Sequence, residues 1–318
     1  MKGLKRIISF TVFLLCILNT ALAEDKAKIA VIVPTEHQAM DDIVRGLQVG
    51  LSDMMQSEQI VILNAMGDLN NLNSIINQVV NQDFKVILPI GTLSTYLTIA
   101  ATEDKPIIGL ASTINEKTRQ NLIRDNHLNV TNVTDEISSH TLLKFISNLK
   151  RNRVLLVYSS SDERISKTVK EIEDIKSYYN INLRKFPIVS TIDMYSIKSA
   201  IQDVDCILIL KDHLIVSMIS VLIEVAHEKL VPVIASDEGS VKSGADVGIG
   251  ISEYDIGFEG AKLVKEILHG KKISDIKVKE IKNVQVFYNQ QNINNKIDIS
   301  EIQSAAEEFK YNTISVEK

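Results

Sequence analysis

Hydroxyl and carboxylate side chains follow most of the apolar runs of this 318-residue chain. Oxygen-rich loops of this kind hold a small ligand by hydrogen bonds, whereas covalent chemistry needs a nucleophile beside a base. The sequence has no GxSxG motif, no glycine-rich phosphate loop and no Cys/His cluster with metal-ligand spacing. It therefore predicts binding without catalytic residues, a metal or a cofactor. The candidate ligand-binding residues are Glu36, His37, Asp41, Thr92, Ser94, Ser112, Ser159, Asp212 and Ser236.

Some of these candidates have a second interpretation. Thr92 and Ser94 open a predicted helix, whose free N–H groups and dipole favour a carboxylate or phosphate, but Thr92 could equally just cap that helix. Asp212 opens another helix, where it either holds a ligand ammonium or acts as a cap. His37 either contacts the ligand or is an ordinary loop residue. The pair Asp41–Asp42 favours a helix cap over an acid/base pair.

The candidates lie at the ends of short apolar runs that alternate with amphipathic stretches. Most runs are apolar on both faces, as expected for parallel strands covered by helices. Repeated strand–helix order predicts an α/β fold of two doubly wound parallel-sheet lobes, with ligand loops at the carboxyl ends of the strands. Strands are predicted at 28–33, 60–65, 86–90, 107–111, 154–158, 181–189, 206–210 and 231–235, with helices between them.

The polar stretch 112–132 breaks this rhythm and predicts a crossing between the lobes. The stretch 231–270 reads as a strand, a polar loop, a second strand and a helix that returns to the first lobe, and 276–287 resembles an edge strand that crosses back. The predicted division is a signal peptide at 1–23, a first lobe at 24–112 plus 248–272, a second lobe at 113–247 plus 273–290, and a C-terminal surface appendage or frayed tail at 291–318.

The N-terminus has the pattern of a cleavable secretory signal, with basic residues, an apolar stretch and the small-x-small site that ends at Ala23. Cys16 lies inside it, and Leu15 stands where a lipid anchor would need a small residue, which argues against that anchor. Cleavage removes three of the 35 basic residues and leaves 32 against 40 acidic ones. A net charge of about −8 argues against nucleic acid as a partner. Cys206, the one remaining cysteine, is predicted to be a small buried hydrophobe.

Several motifs resemble those of a known family. Glu36-His37 with Asp41 follows the first strand, Gly91-Thr92 opens the third helix, and Asp212-His213 follows a strand of the second lobe. Asn129-Val130-Thr131 matches a crossing motif, with Asn132 in place of its glycine. The most specific match is the spacing of Pro232, Ser236, Val241, Gly244, Gly248, Tyr254, Gly257, Leu268 and Gly270.

This pattern, over roughly residues 28–290, resembles the ABC-transporter substrate-binding proteins of the tryptophan-binding-protein-like family, which have the type I periplasmic binding protein fold. The sequence departs from the family in two ligand loops. Ser112-Thr113 replaces an Asp-Pro pair, and Tyr158-Ser159-Ser160 replaces a Tyr-Asn-Pro turn. Because these departures lie in the loops that select the ligand, the resemblance supports the fold more strongly than the identity of the solute.

The resemblance implies a monomeric periplasmic protein that is not an enzyme. It would bind a small solute and deliver it to a membrane permease, and the first expectation is an amino acid, with the aromatic ones among the candidates. One alternative is a sensory module of the same fold that presents its ligand to a membrane receptor. A secreted α/β hydrolase lacks a visible nucleophile elbow, and a DNA-binding regulator would need a helix-turn-helix where the signal peptide lies.

Overall fold

The computed structural model describes residues 28–54, 56, 59–114, 116–124, 129–293 and 296–316. The predicted signal peptide and Cys16 lie outside these residues. The strands are β1 (Ile29–Val33), β2 (Ile60–Asn64), β3 (Val86–Pro89), β4 (Ile107–Leu110), β5 (Val130–Thr134), β6 (Arg153–Ser159), β7 (Asn182–Ile188), β8 (Cys206–Ile209), β9 (Val233–Ala235), β10 (Val247–Ile251), β11 (Lys279–Glu280), β12 (Val284–Asn289) and β13 (Asn312–Val316).

Helices connect most of these strands. The α-helices are α1 (Gln38–Leu51), α2 (Leu69–Asn81), α3 (Thr92–Ala101), α4 (Glu116–Arg124), α5 (Ser139–Asn148), α6 (Glu163–Ile175), α7 (Ile197–Ala200), α8 (His213–Ser217), α9 (Ile219–Glu228), α10 (Glu238–Lys242), α11 (Glu253–Leu268) and α12 (Ile299–Glu307). Within the described residues, none of these helices is both long and apolar enough to cross a membrane.

The strands form two sheets, and each sheet is the centre of one lobe. The first has the order β11-β5-β4-β3-β1-β2, and all its neighbours pair in parallel. The second has the order β13-β12-β10-β9-β8-β6-β7, and only the β10–β12 pairing is antiparallel. The predicted fold class, two doubly wound parallel-sheet lobes, is therefore confirmed.

Alternate residues of a strand face opposite sides of its sheet, and both sides are buried. In β1, Ile29, Val31 and Val33 belong to the apolar cluster that includes residues of α1 and α11. Ala30 and Ile32 belong to a separate cluster with residues of α2. Strands covered on both faces explain why the sequence shows continuous apolar runs where a half-exposed sheet would show alternation.

Helix α11 returns to the first lobe, as predicted, and packs against α1 at very short range. A Cβ atom on Gly257 would lie 1.9 Å from the carbonyl oxygen of Ile43, and one on Gly46 would lie 2.0 Å from that of Tyr254. Only glycine permits this approach, because it has no side chain to separate the two backbones. The crossing fixes the N-terminus of α11 beside the junction of the two lobes.

Strand pairing moves two of the predicted lobe boundaries. Strand β5, predicted as part of a crossing, pairs with β4 in the first sheet. Two of its buried polar side chains donate hydrogen bonds inside the fold: Thr131 to the carbonyl of Lys277, and the amide nitrogen of Asn132 to the carbonyl of Ser112. Strand β10, placed in the first lobe by the sequence, pairs with β9 and β12 in the second sheet.

The C-terminal region also differs from the prediction. The single edge strand expected at 276–287 is two strands, because β11 joins the first sheet and β12 the second. The segment predicted as an appendage or frayed tail contains α12 and β13. Helix α12 buries Ile302, Ala305 and Ala306 against the core of the second lobe, and β13 pairs with β12. This segment is an integral part of the second lobe.

Candidate ligand-binding cleft

The predicted site residues lie at the carboxyl edges of the two sheets, each close to the carboxyl end of a strand. An ion pair links the two edges across the lobes. Lys242 of α10 contacts Asp42 of α1 at 2.5 Å, and it also contacts Glu238 at 2.6 Å. His37, just before α1, also lies against α10, since its ring is 3.5 Å from the position that a Cβ atom on Gly239 would occupy. The two edges therefore face each other and form the walls of one cleft.

In the first lobe, the N-terminus of α3 opens toward this cleft without a side-chain cap. Gly91 occupies the N-cap position with a φ of +85°, a conformation that favours glycine. Thr92 is the first helical residue, and its hydroxyl lies 3.1 Å from that of Thr113. The interpretation of Thr92 as only a cap is therefore wrong. Because no side chain of the described residues accepts from the first turn, its N–H groups are available to an anion.

Ser112 and Asn132 lie beside this helix end and carry polar atoms without partners. Both residues are fully buried, and neither the Ser112 hydroxyl nor the Asn132 Oδ1 has a hydrogen-bond partner. The amide nitrogen of Asn132 donates to the carbonyl oxygen of Ser112 at 3.0 Å, which joins the two residues. Ala111, just before them, has a φ of +49°. Unsatisfied buried polar atoms are uncommon and often mark a functional position.

In the second lobe, Asp212 and Ser159 are brought together in a structural contact. One carboxylate oxygen of Asp212 accepts from the backbone N–H of Ser159 at 2.6 Å. The other accepts from the N–H groups of Leu214 and Ile215 and so caps α8. The cap that the sequence left open as an alternative is present. Both oxygens of this buried carboxylate are thus already occupied by N–H donors.

Ser236 and its neighbours complete the wall of the second lobe. The Ser236 hydroxyl accepts from the backbone N–H of Lys211 at 3.0 Å. Asp237 caps α10 through the backbone N–H and the hydroxyl of Ser240, both at 2.7 Å. The polar loop after β9 is therefore internally satisfied. It shapes the wall and leaves few of its own groups open to a ligand.

The remaining candidates lie around the start of α1 and differ in burial. His37 is partly buried and caps α1, because its Nδ1 accepts from the N–H of Ala39 at 3.2 Å. Glu36 and Asp41 are exposed. Ser94, in contrast, is buried within the first turn of α3. Thr92, Ser94 and Ser112 thus lie at or beside the start of α3, whereas Glu36 and Asp41 lie around the start of α1.

A charged cluster lies at the junction of the lobes and was not predicted from the sequence. The ammonium group of Lys211, which follows β8, lies 2.6 Å from Asp135 Oδ2 and 2.9 Å from Glu253 Oε1. Asp135 lies just after β5, and Glu253 is the first residue of α11, so the cluster joins both lobes. The available signal was a charged residue directly after a continuous apolar strand. It holds for Lys211 after β8, is weaker for Glu253, which is separated from β10 by Ser252, and is absent for Asp135, because β5 is largely polar.

The environment of this cluster shifts the pKa values of its members in different directions. Burial, reinforced by the nearby charge of Asp135, raises the pKa of Glu253 to about 7, against the opposing effect of Lys211. Burial also opposes the charge on Lys211, but the carboxylates of Asp135 and Glu253 outweigh it and raise the pKa of the ammonium. Burial opposes the charge on Asp135 in the same way, yet Lys211 holds its pKa below the usual value.

Other chemistry has little support in the described parts of the chain. No group of three or more His, Cys, Asp or Glu residues there could hold a metal ion. Cys206, predicted to be a buried hydrophobe, is fully buried as a free thiol in β8, and burial raises its pKa. The fold, in contrast, is informative: two α/β lobes with a polar cleft between them place this chain in the class of two-lobed ligand-binding proteins.

Comparison with known proteins narrows this class to one family. Residues 28–308 match the model of the family described as ABC transporter substrate binding protein, so this chain belongs to that family. It is a family of extracytoplasmic solute-binding proteins and not of enzymes. Its members bind a small-molecule ligand and have a membrane transporter as partner. The predicted family resemblance is confirmed.

Individual relatives extend over most of the chain. An uncharacterized protein of Rickettsia prowazekii is 38% identical over 287 residues, which cover 88% of each chain. A tyrosine-binding protein of Clostridioides difficile is 27% identical, covering 87% of this chain and 81% of its own.

Solved structures share the type I periplasmic binding protein fold. A Streptococcus pneumonia ABC domain in complex with L-Trp has a TM-score of 0.75 at 23% identity, covering 91% of this chain and all of its own. The ligand-free, open structure of a substrate binding protein with adhesive properties from Clostridium difficile has a TM-score of 0.68 at 20% identity, covering 92% and 100%.

Proposed function

We propose that this chain is the periplasmic solute-binding component of an ABC importer, exported by its signal peptide and acting as a monomer. It binds an amino acid between its lobes and delivers it to a membrane permease. The family match supports the general role. The tyrosine-binding relative and the tryptophan complex support an aromatic amino acid as the first solute to test.

The observation that carries the proposal is the open N-terminus of α3. Its uncapped N–H groups, the paired hydroxyls of Thr92 and Thr113 and the unpartnered hydroxyl of Ser112 offer several donors to one anion. A helix N-terminus stabilises negative charge, and here this effect acts in a partly buried position. The solute carboxylate binds there, and exposed Leu93 and Tyr96 on the same helix offer apolar surface for a side chain.

The lobes close over the solute by a hinge motion. The chain passes between the sheets at three places: after β5, between β10 and α11, and between β11 and β12. A solute that contacts both lobes favours the closed state, because it gains its full set of contacts only there. The closed protein is then the form that the permease recognises.

The test is thermal unfolding of residues 24–318 with the twenty amino acids, nucleosides and sugars. A solute at 100 times its Kd adds about 2.7 kcal/mol of stability, which raises the Tm by about 4 °C in a chain of this size. We expect L-tryptophan or L-tyrosine to give such a shift and tryptamine, which lacks the carboxylate, to give none. A shift with a sugar or nucleoside but with no amino acid would overturn the assignment of the solute.

A matched pair of variants tests the position of the carboxylate. Thr92→Val removes the hydroxyl that contacts Thr113, and we expect it to weaken amino-acid binding about tenfold. Thr168→Val is the control, because its hydroxyl bonds only to the carbonyl of Arg164 within α6. Equal affinities of the two variants would remove Thr92 from the site.

A further inference from the structure

Glu253 carries a polar atom that the fold leaves unsatisfied. Its side chain is 1% exposed, and its Oε1 contacts Lys211 at 2.9 Å. Its Oε2 is buried and has no hydrogen-bond partner in the part of the chain that the structure describes. A buried carboxylate oxygen without a donor is costly, and a ligand with a suitable donor would remove that cost. The residue lies between the lobes, where such a ligand would reach it on closure.

The charge balance around Glu253 favours a cation as that ligand. Lys211 is a single ammonium group shared between the carboxylates of Asp135 and Glu253. Asp237 adds a further negative charge close enough to oppose the ionisation of Glu253. When these carboxylates are ionised, Lys211 neutralises only one of them. The cluster can therefore accept one more positive charge, and the ammonium of an amino acid has the charge and the donors for it.

Asp212, the residue first predicted to bind the ammonium, is less suited to this role. Its carboxylate accepts from the backbone N–H groups of Ser159, Leu214 and Ile215. A ligand ammonium would have to compete for oxygens that already have donors. Glu253, by contrast, has a free oxygen.

We infer that Glu253, held in place through Lys211 and supported by the charge of Asp135, is the residue that binds the ammonium of the solute. This inference rests on the proposed function and adds a second contact point for the solute. The solute carboxylate lies at α3 and its ammonium at the start of α11. The unpartnered Oδ1 of Asn132, in the middle of β5, offers a further, neutral acceptor.

The experiment compares each amino acid with its analogue that lacks the amine. Isothermal titration is done with L-tryptophan and indole-3-propionate, and with L-tyrosine and 3-(4-hydroxyphenyl)propionate. We expect the wild-type protein to prefer the amino acid, and Glu253→Gln to reduce that preference about 10- to 100-fold, because a hydrogen bond between two charged groups is lost. The affinity for the analogues is expected to change little.

Asp212→Asn is the matched control, and Asp135→Asn is a second variant for the cluster. We expect Asp212→Asn to keep the preference for the amine once its folding is verified by circular dichroism, and Asp135→Asn to lose part of it. An unchanged preference in Glu253→Gln, or its loss in Asp212→Asn alone, would overturn the inference while leaving amino-acid binding intact. Failure of the wild-type protein to bind any amino acid is a different result, and it would overturn the proposed solute as well.

Discussion

Replacing Glu253 by glutamine should change how the stability of the protein depends on pH. The pKa of Glu253 is raised from an ordinary value of 4.5 to about 7 in the folded protein, mainly by burial. A raised carboxyl pKa means that the fold favours the protonated form. Below pH 4.5 the group is neutral in both the folded and the unfolded state and costs nothing. Stability is lost as the pH rises from about 4.5 through about 7.

The size of this loss follows from the two pKa values. Each pKa unit corresponds to about 1.36 kcal/mol, so the difference between 4.5 and about 7 gives roughly 3 kcal/mol above neutral pH. The glutamine side chain of the variant cannot ionise and avoids this cost, while Asp135 still pairs with Lys211. We therefore expect Glu253→Gln to be about as stable as the wild type at about pH 4.5 and up to roughly 3 kcal/mol more stable at about pH 8.

The assay is urea unfolding of the solute-free protein at about pH 4.5, 6 and 8. The chain has no tryptophan, so circular dichroism is the better probe. Glu266→Gln is the control, because Glu266 is on the same helix but forms only an exposed ion pair with Lys271. Comparing the variant with the wild type cancels the titration of other groups. If Glu253→Gln were the less stable protein at the highest pH, the reasoning about its buried carboxylate would be refuted.

Three further predictions concern the fold. Gly257→Ala should lower the free energy of unfolding by at least about 1–3 kcal/mol in thermal unfolding, because its Cβ would lie 1.9 Å from a backbone carbonyl. Gly260→Ala should lower it less, because its Cβ would contact the side chain of Leu110, which can move. Arg119→Met should lower stability by several kcal/mol, because buried Arg119 donates to three backbone carbonyls; exposed Arg124→Met should not. Cys206 should react with a thiol reagent only at the rate of unfolding.

Much of the fold could be predicted because a buried parallel strand leaves a simple signal, a continuous apolar run, as in β6 and β8. The signal fails where the buried strand is polar. In β5, Thr131 and Asn132 are buried, and they donate hydrogen bonds to carbonyls 146 and 20 residues away. The local sequence of β5 has three polar residues among five and so lacks the continuous apolar run. Helix α12 was missed for a similar reason, since its few apolar residues stand among Glu, Gln and Ser.

The placement of the candidate residues at strand ends could be predicted from the sequence, whereas their hydrogen-bonding roles could not, and their contact with a ligand stays a prediction. Strand ends with oxygen-bearing side chains do lie at the cleft, as the doubly wound order requires. Whether a carboxylate is free or satisfied depends on neighbours that the chain brings from elsewhere. Asp212 is satisfied by Ser159, 53 residues away, and the free oxygen of Glu253 exists because Lys211 occupies only its partner oxygen.

The two lobes repeat one strand order, β2-β1-β3-β4-β5 and β7-β6-β8-β9-β10, so their loops can be compared position by position. After β8, Asp212 closes a helix N-terminus, but after β3 the equivalent helix start at Gly91 has no side-chain cap. After β9, Ser236 accepts from a backbone N–H, but after β4 the hydroxyl of Ser112 has no partner. The same topology is thus satisfied internally in the second lobe and left open in the first. We propose that this asymmetry orients the bound solute, because among the loops compared it is the first lobe that leaves donors open to an anionic group.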